Sequence, residues 1–304
     1  MLQIITDTDE EKIYNLLIWR RRKMQMPTIN EAKIEQIELP HYSSNSENPE
    51  IIVAQIIRAE NPLEGNPIVV FGHGNGETLD DYIQYSINFC PHGISICALD
   101  YRGYGYSDGL YGSCSATERD DVENVINHLK KEGFNKISYF GRSLGATCGI
   151  FAASKFPDLV CLALDSPWMS TKEWVAYRSM NDYGIKPEKF DEVIGGVFEE
   201  VKRKTGIDFN EVEEPRVAAS RIKQPIYVIH GVNDTIVPYT NSEELISTVQ
   251  SRDKKLESFE GDHNDLIRYL IYEKMFKFIL KHNGVENITS EDNLQKVHND
   301  HLSS

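Results

Sequence analysis

The chain has 304 residues, 40% hydrophobic and 26% charged, which is an ordinary composition for a soluble globular protein. Its formal charge of −15 repels nucleic acid, so we expect no nucleic-acid partner. The five cysteines show no CxxC pair and no zinc-like Cys/His spacing, which predicts reduced thiols and no bound metal. Acidic residues stand where a signal peptide needs positive charge. These features predict a cytoplasmic protein.

The first 33 residues are predicted to form a helical segment apart from the domain that follows. Residues 10–26 place apolar side chains near one face of a helix and include four consecutive basic residues at 20–23. Two interpretations stay open. The helix packs on the domain with its basic end solvated, or that end makes weak contact with an acidic membrane surface.

Residues 34–282 are predicted to form one α/β domain. Segments 34–42 and 50–59 read as antiparallel edge strands, and apolar runs then alternate with helical patterns. The predicted strands are 67–72, 94–100, 136–141, 159–165, 225–231 and 254–261, and the predicted helices are 79–89, 116–133, 144–156, 242–250 and 265–281. Apolar strands separated by helices indicate a mostly parallel sheet covered by helices on both faces.

One long segment interrupts this alternation. Residues 166–223 lie between two predicted strands and contain their own helical pattern at 192–206. An insertion of this length is typical of a lid or a binding element. After it and the last helix, the polar residues 283–304 are predicted to be a disordered tail.

A candidate nucleophile follows the strand 136–141. The sequence GRSLG at 141–145 matches the G-x-S-x-G pattern, with an apolar strand before it and a helix of small residues after it. A strained turn of this type holds the serine hydroxyl at the end of the sheet. We therefore interpret Ser143 as a nucleophile rather than an ordinary turn residue.

A serine hydroxyl needs a base, and the base needs an acid that orients it. Asp234 follows the strand 225–231, and His263 follows the strand 254–261. Reactive groups gather at the carboxyl ends of strands in a parallel sheet. The order Ser143, Asp234, His263 is the order found in α/β-hydrolases.

The oxyanion of an acyl-transfer reaction needs hydrogen-bond donors. One is expected to be the amide of Leu144, directly after the nucleophile. The other is expected from the glycine-rich loop after the first parallel strand, with Asn75 as the best candidate. This loop does not match G-x-G-x-x-G, so a dinucleotide is not expected.

Four separated motifs carry a family resemblance. They are HGNGE (73–77), LDYRGYGYSDG (99–109), GRSLGA (141–146) and the pair HGVNDTIVP (230–238) with GDHND (261–265). With them, residues 50–281 resemble the α/β-hydrolase superfamily of serine hydrolases. Within it the chain is similar to the eukaryotic group that includes protein depalmitoylases and serine aminopeptidase-like relatives. It departs from the depalmitoylases in having no cysteine in residues 1–30 and a longer insertion.

The resemblance implies an α/β-hydrolase fold with a helical lid and a triad of Ser143, Asp234 and His263. Asp165 stays open as a substitute for Asp234, since some relatives place the acid after that strand. Four residues of the insertion are candidates for an apolar acyl pocket or for lid packing, namely Trp168, Met169, Trp174 and Tyr177.

The resulting hypothesis is a hydrolase that cleaves an ester or thioester through an acyl-serine. The partner is a small-molecule or acylated substrate, and no cofactor is needed. The alternatives are an aminopeptidase or amidase, and a catalytically inactive binding protein that kept the fold. The sequence leaves the oligomeric state open.

Overall fold

The computed structural model describes residues 34–41, 49–109 and 112–286. The predicted N-terminal helix, for which a membrane contact was one interpretation, lies outside these residues. Residues 287–304 of the predicted tail also lie outside them. Within the described ranges, no helix combines the length and the apolar character needed to cross a membrane.

A single sheet of eight strands runs through the described domain. The strands are β1 (Ile34–His41), β2 (Glu50–Ile57), β3 (Pro67–Gly72), β4 (Ser95–Leu99), β5 (Lys136–Arg142), β6 (Leu162–Asp165), β7 (Ile226–Gly231) and β8 (Lys254–Phe259). Their order across the sheet is β1-β2-β4-β3-β5-β6-β7-β8. β2 pairs antiparallel with both β1 and β4, and the remaining pairs are parallel. The predicted fold class is confirmed.

Nine α-helices connect these strands in the described ranges. They are α1 (Asp80–Ile83), α2 (Ser86–Phe89), α3 (Glu118–Lys131), α4 (Leu144–Lys155), α5 (Thr171–Tyr183), α6 (Phe190–Thr205), α7 (Pro215–Ala219), α8 (Thr240–Thr248) and α9 (Arg268–His282). The three helices α5 to α7 fall between β6 and β7, so the interruption of the sheet is helical as predicted.

The two faces of the sheet hold separate cores because successive strand side chains point in opposite directions. In β3, Ile68 and Val70 pack with α3 and α4, whereas Val69 and Phe71 pack with α1, α2 and α9. All four side chains are fully buried. This explains why the parallel strands are nearly continuous apolar runs.

Two predicted elements differ from the structure. The helix expected at 79–89 is broken into α1 and α2, because tight turn bonds, such as that from the Tyr85 amide to the Tyr82 carbonyl (2.9 Å), interrupt the helical pattern. The strand expected at 159–165 starts only at Leu162. The Leu159 amide instead bonds the Phe156 carbonyl (3.1 Å) in the turn that follows α4.

The ring of Phe140 in β5 is a sensitive point of the core. It is fully buried, with its centroid 5.3 Å from that of Phe71 and 5.1 Å from that of Tyr272. We expect Phe140→Ala to lower the free energy of unfolding by about 3–5 kcal/mol, because a large cavity replaces the ring. Urea denaturation measures this change.

The matched control is Leu270→Ala, since the Leu270 side chain is 51% exposed. It should change the free energy of unfolding by no more than about 0.5 kcal/mol. Equal effects of the two substitutions would contradict the assigned core.

Candidate active site

Ser143 forms the sharp turn between β5 and α4. Its backbone has φ of +51°, a conformation that costs energy for any residue with a side chain. The Ser143 amide donates to the carbonyl of Asp165 in the neighbouring strand at 2.7 Å. This bond holds the strained turn and places the serine at the carboxyl end of the sheet.

Gly145 is required by the close approach of α4 to the sheet. A Cβ atom at this position would overlap the carbonyl oxygen of Gly72 at the end of β3. Likewise, a Cβ at Gly141 would overlap the carbonyl of Gly145. The two glycines of G-x-S-x-G therefore allow strand and helix to meet on either side of Ser143.

The structure brings Ser143, Asp234 and His263 together. His263 Nε2 lies 3.0 Å from Ser143 Oγ, and His263 Nδ1 lies 2.6 Å from Asp234 Oδ2. With Nδ1–H donating to the carboxylate, Nε2 is free to accept the serine proton. All three residues are less than 8% exposed.

Asp234 is held as a carboxylate. Burial raises its pKa, but hydrogen bonds from His230 and His263 outweigh this effect, so that the pKa lies well below its ordinary value. Its Oδ1 also accepts the amides of Ile236 (2.8 Å) and Val237 (2.7 Å). These bonds fix the direction in which Asp234 presents Oδ2 to the histidine.

The environment of His263 favours the neutral form of its ring. Burial lowers the pKa of its ring further than the neighbouring Asp234 raises it. A neutral imidazole with an unprotonated Nε2 is the form that can take a proton from a hydroxyl.

Both predicted oxyanion residues line the same cavity as Ser143. Leu144 is the first residue of α4, where the amide has no acceptor within the helix. Asn75 lies in the loop after β3, and its Oδ1 accepts from the hydroxyl of Tyr104 at 3.1 Å. The two residues flank the nucleophile from different strand ends.

A partly buried ion pair joins the loops of the site, and sequence reasoning did not identify it. Arg142, directly before the nucleophile, pairs through Nη1 with Glu77. Its Nη2 donates to the carbonyl of His263 at 3.0 Å and to Asn264 Oδ1 at 2.8 Å. A charged residue within a turn of small residues was the signal that could have indicated this role.

Glu77 extends the connection to the loop after β3. It accepts the amide of Gly74 at 2.7 Å and the hydroxyl of Tyr82 at 2.6 Å. The Glu77–Arg142 pair thus links the loop that carries Asn75 with the loop that carries His263.

His230 is a second residue that sequence reasoning missed. Its buried Nε2 lies 2.9 Å from the Val237 carbonyl and 3.2 Å from Asp234 Oδ2, so Nε2–H donates. Its Nδ1 then accepts from the hydroxyl of Ser242 at 2.6 Å. His230 therefore supports Asp234 at Oδ2, the same oxygen that His263 contacts.

A cavity of about 220 Å³ opens at Ser143. Trp168 and Trp174 line it, with their rings stacked at 5.1 Å between centroids. The other two pocket candidates are not among the residues that line this cavity: Met169 is fully buried in the hydrophobic core, and the hydroxyl of Tyr177 donates to the carbonyl of Asp234 at 3.5 Å.

Asp165 has other partners than the histidine. Its carboxylate accepts from the hydroxyls of Tyr272 (2.7 Å) and Ser166 (2.8 Å) and lies 3.5 Å from Arg268. Since His263 Nδ1 bonds Asp234, the structure favours Asp234 over Asp165 as the carboxylate that orients the ring.

Comparisons with known proteins agree with this architecture. Residues 64–209 match the family of serine aminopeptidases S33. The Saccharomyces cerevisiae membrane protein YNL320W is 30% identical over 185 residues, covering 58% of this chain and 56% of the yeast protein. Human protein ABHD12B is 26% identical over 192 residues, covering 60% of this chain and 49% of the human protein. The chain thus spans about half the length of these relatives.

The solved structure of the esterase Pf2001 from Pyrococcus furiosus has a TM-score of 0.62 to this fold at 20% identity. The match covers 86% of this chain and 96% of the esterase. With the sheet order and the turn at Ser143, these likenesses define the class: the chain has the α/β-hydrolase fold and is similar in sequence to members of that superfamily.

The Glu77–Arg142 pair gives a stability prediction. Glu77→Gln removes the main counter-charge of a buried guanidinium while preserving the shape of the side chain. We expect the free energy of unfolding to fall by about 1–3 kcal/mol. Urea denaturation of the two proteins measures the difference.

Glu64→Gln is the control, because Glu64 is exposed and loses the same charge. It should leave stability within about 0.5 kcal/mol of the parent protein. A Glu77→Gln protein as stable as this control would show that the Glu77–Arg142 pair contributes nothing to stability.

Proposed function

We propose that this protein is a serine hydrolase in which Ser143 is the nucleophile, His263 the general base and Asp234 the acid. One observation carries the proposal. A single imidazole bonds the carboxylate on one side (2.6 Å) and the serine hydroxyl on the other (3.0 Å). This is the relay that activates a hydroxyl for attack on a carbonyl.

In the first half of the reaction, Ser143 Oγ bonds to the carbonyl carbon of the substrate and its proton passes to His263 Nε2. The electron pair of the carbonyl double bond moves onto oxygen. When this pair returns, the bond to the leaving alcohol or thiol breaks, and His263 gives that group the proton. The acyl group remains on Ser143.

In the second half, water attacks the acyl-serine and loses a proton to His263. The bond to Ser143 Oγ breaks, and the proton from His263 restores the hydroxyl. The free acid leaves. In both halves the amides of Leu144 and Asn75 stabilise the negative oxygen, at about 10²–10³ in rate for each donor.

The proposed substrate is a carboxylic ester or thioester with an apolar acyl group. The stacked rings of Trp168 and Trp174, together with Ile236, give the cavity beside Ser143 an apolar wall. The likeness to an esterase supports this choice. The match to the serine aminopeptidase family favours the second candidate, an amide substrate.

Labelling with a fluorophosphonate probe tests the proposed nucleophile. The native protein should be labelled at Ser143, whereas Ser143→Ala should not be labelled and should lose about 10⁶ in kcat on a good substrate. Ser247→Ala, at an exposed serine of α8, is the control and should label normally. Native protein that stays unlabelled would favour the inactive binding protein.

A substrate series tests the choice between esters and amides in the same preparation. We expect hydrolysis of p-nitrophenyl esters from acetate to palmitate and little release from aminoacyl-naphthylamides. Preferential cleavage of the naphthylamides would replace the esterase proposal with the aminopeptidase.

The state of His263 predicts the pH dependence. Only the neutral ring accepts the Ser143 proton, so kcat/KM should rise with pH as His263 loses its proton. Because burial lowers the pKa of His263, the midpoint of this rise should lie below 6.5, the ordinary value for histidine. Initial rates on a p-nitrophenyl ester between pH 4.5 and 8 measure it.

His92→Gln removes a histidine near the opposite end of the sheet, before β4 begins, and should leave the midpoint unchanged. A midpoint at or above 7 in the parent protein would contradict the assignment of a buried neutral base.

A further inference from the structure

We propose that the substrate carries an anionic group, a carboxylate or a phosphate, and that Arg178 binds it. This inference rests on the proposed function and names the class of ester that the site takes. Arg178 lies on α5 of the inserted helices and lines the same cavity as Ser143 and His263.

Arg178 is a buried cation with unused donors. Its side chain is 11% exposed, and its Nη2 donates to Asp182 Oδ2 at 2.6 Å. Within the part of the chain that the structure describes, its buried Nε and Nη1 have no hydrogen-bond partner. A guanidinium stays charged in proteins, and leaving its buried donors unpaired costs free energy. A ligand that supplies acceptors removes this cost.

Trp168, which lines the same cavity, holds a second donor that points to the same kind of ligand. The buried Nε1 of Trp168 also has no acceptor among the described residues. Its stacked neighbour Trp174 is satisfied, since Nε1 donates to the carbonyl of Ile236 at 3.0 Å. Two unpaired donor side chains on one cavity match a group with several acceptor oxygens.

The other arginine of the cavity does not compete for such a group. Arg142 is engaged by Glu77, the His263 carbonyl and Asn264, and its Nε, which has no hydrogen-bond partner among the described residues, lies 3.7 Å from Asp165 Oδ2. Arg178 is paired with one carboxylate, Asp182, whose side chain is 28% exposed. Arg178 has fewer acceptors around its guanidinium than Arg142 and is therefore the cation of the cavity better placed to accept a negative partner.

Arg216 contrasts with Arg178 in this respect. Arg216 lies in the same insertion, on α7, and all three of its guanidinium nitrogens bond Glu173 or Glu244. An anionic substrate also has to approach a chain of net charge −15. A cation beside the nucleophile offsets this repulsion locally.

Three matched esters test the proposal through the release of naphthol: 1-naphthyl hydrogen adipate, its neutral terminal amide 1-naphthyl adipamate, and a 1-naphthyl hexanoate with a terminal phosphate. The parent protein should cleave at least one anionic ester with kcat/KM about tenfold or more above the neutral ester. The two anionic arms distinguish carboxylate from phosphate.

Arg178→Met keeps the aliphatic stem and removes the charge, so the ratio of anionic to neutral kcat/KM should fall to about one. Lys172→Met removes the same charge from the exposed side of the same helix and should keep the parent ratio. Asp182→Asn removes the carboxylate that competes for Arg178 and should raise the ratio. If a thermal melt shows that Arg178→Met does not fold, the ratio measured for Asp182→Asn tests the proposal in its place.

Equal rates on anionic and neutral esters in the parent protein would overturn the proposal. An unchanged ratio of anionic to neutral kcat/KM in a folded Arg178→Met protein would also overturn it. If Arg178→Met does not fold, an unchanged ratio in Asp182→Asn would overturn it instead. In these cases cleavage of the neutral ester leaves the proposed hydrolase intact. If no ester is cleaved and the fluorophosphonate does not label Ser143, the proposed function fails, and this inference with it.

Discussion

The turn at Ser143 is the constraint on which the rest of the site depends. One residue separates β5 from α4, and its backbone adopts φ of +51°. Both neighbouring strands hold it there. The carbonyl of Asp165 in β6 accepts the Ser143 amide, and Gly145 packs against the end of β3 at Gly72. Because the strain is resisted from two sides, the hydroxyl stays fixed while the loops of the other strands are arranged around it.

Two arginines of the site, Arg142 and Arg178, differ in how many of their guanidinium nitrogens have partners. Arg142 is surrounded by partners and acts as a fixed joint between the loop after β3 and the loop that carries His263. Arg178, on the inserted helix α5, keeps donors that the described protein does not use. In our proposal the first arginine keeps the reacting groups in position, and the second recognises the substrate. The difference follows from how many acceptors each guanidinium meets.

The strands could be predicted from the sequence because each is a short apolar run between breaks, and the positions of Ser143, Asp234 and His263 follow from those strand ends. The pattern of apolar residues gave wrong element bounds where hydrogen bonds of turns determine the local structure. Helix 79–89 breaks in two because turn bonds compete with helical ones. The Glu77–Arg142 pair could not be predicted, because the pattern G-x-S-x-G assigns no role to its second position. The support of Asp234 by His230 needs the fold of a loop that the sequence shows only as glycine and asparagine.

By itself, the sequence determined the alternation of strands and helices, the place of the insertion and the order of serine, aspartate and histidine, because these depend on neighbouring residues. Only the tertiary structure decided which carboxylate meets the histidine and which insertion residues reach the cavity. His263 is 120 positions from Ser143 and 29 from Asp234, and distances of that kind are set by the order of strands across the sheet. Asp165 and Asp234 both follow strands, but hydrogen-bond partners on α9 engage Asp165, which leaves Asp234 to the imidazole.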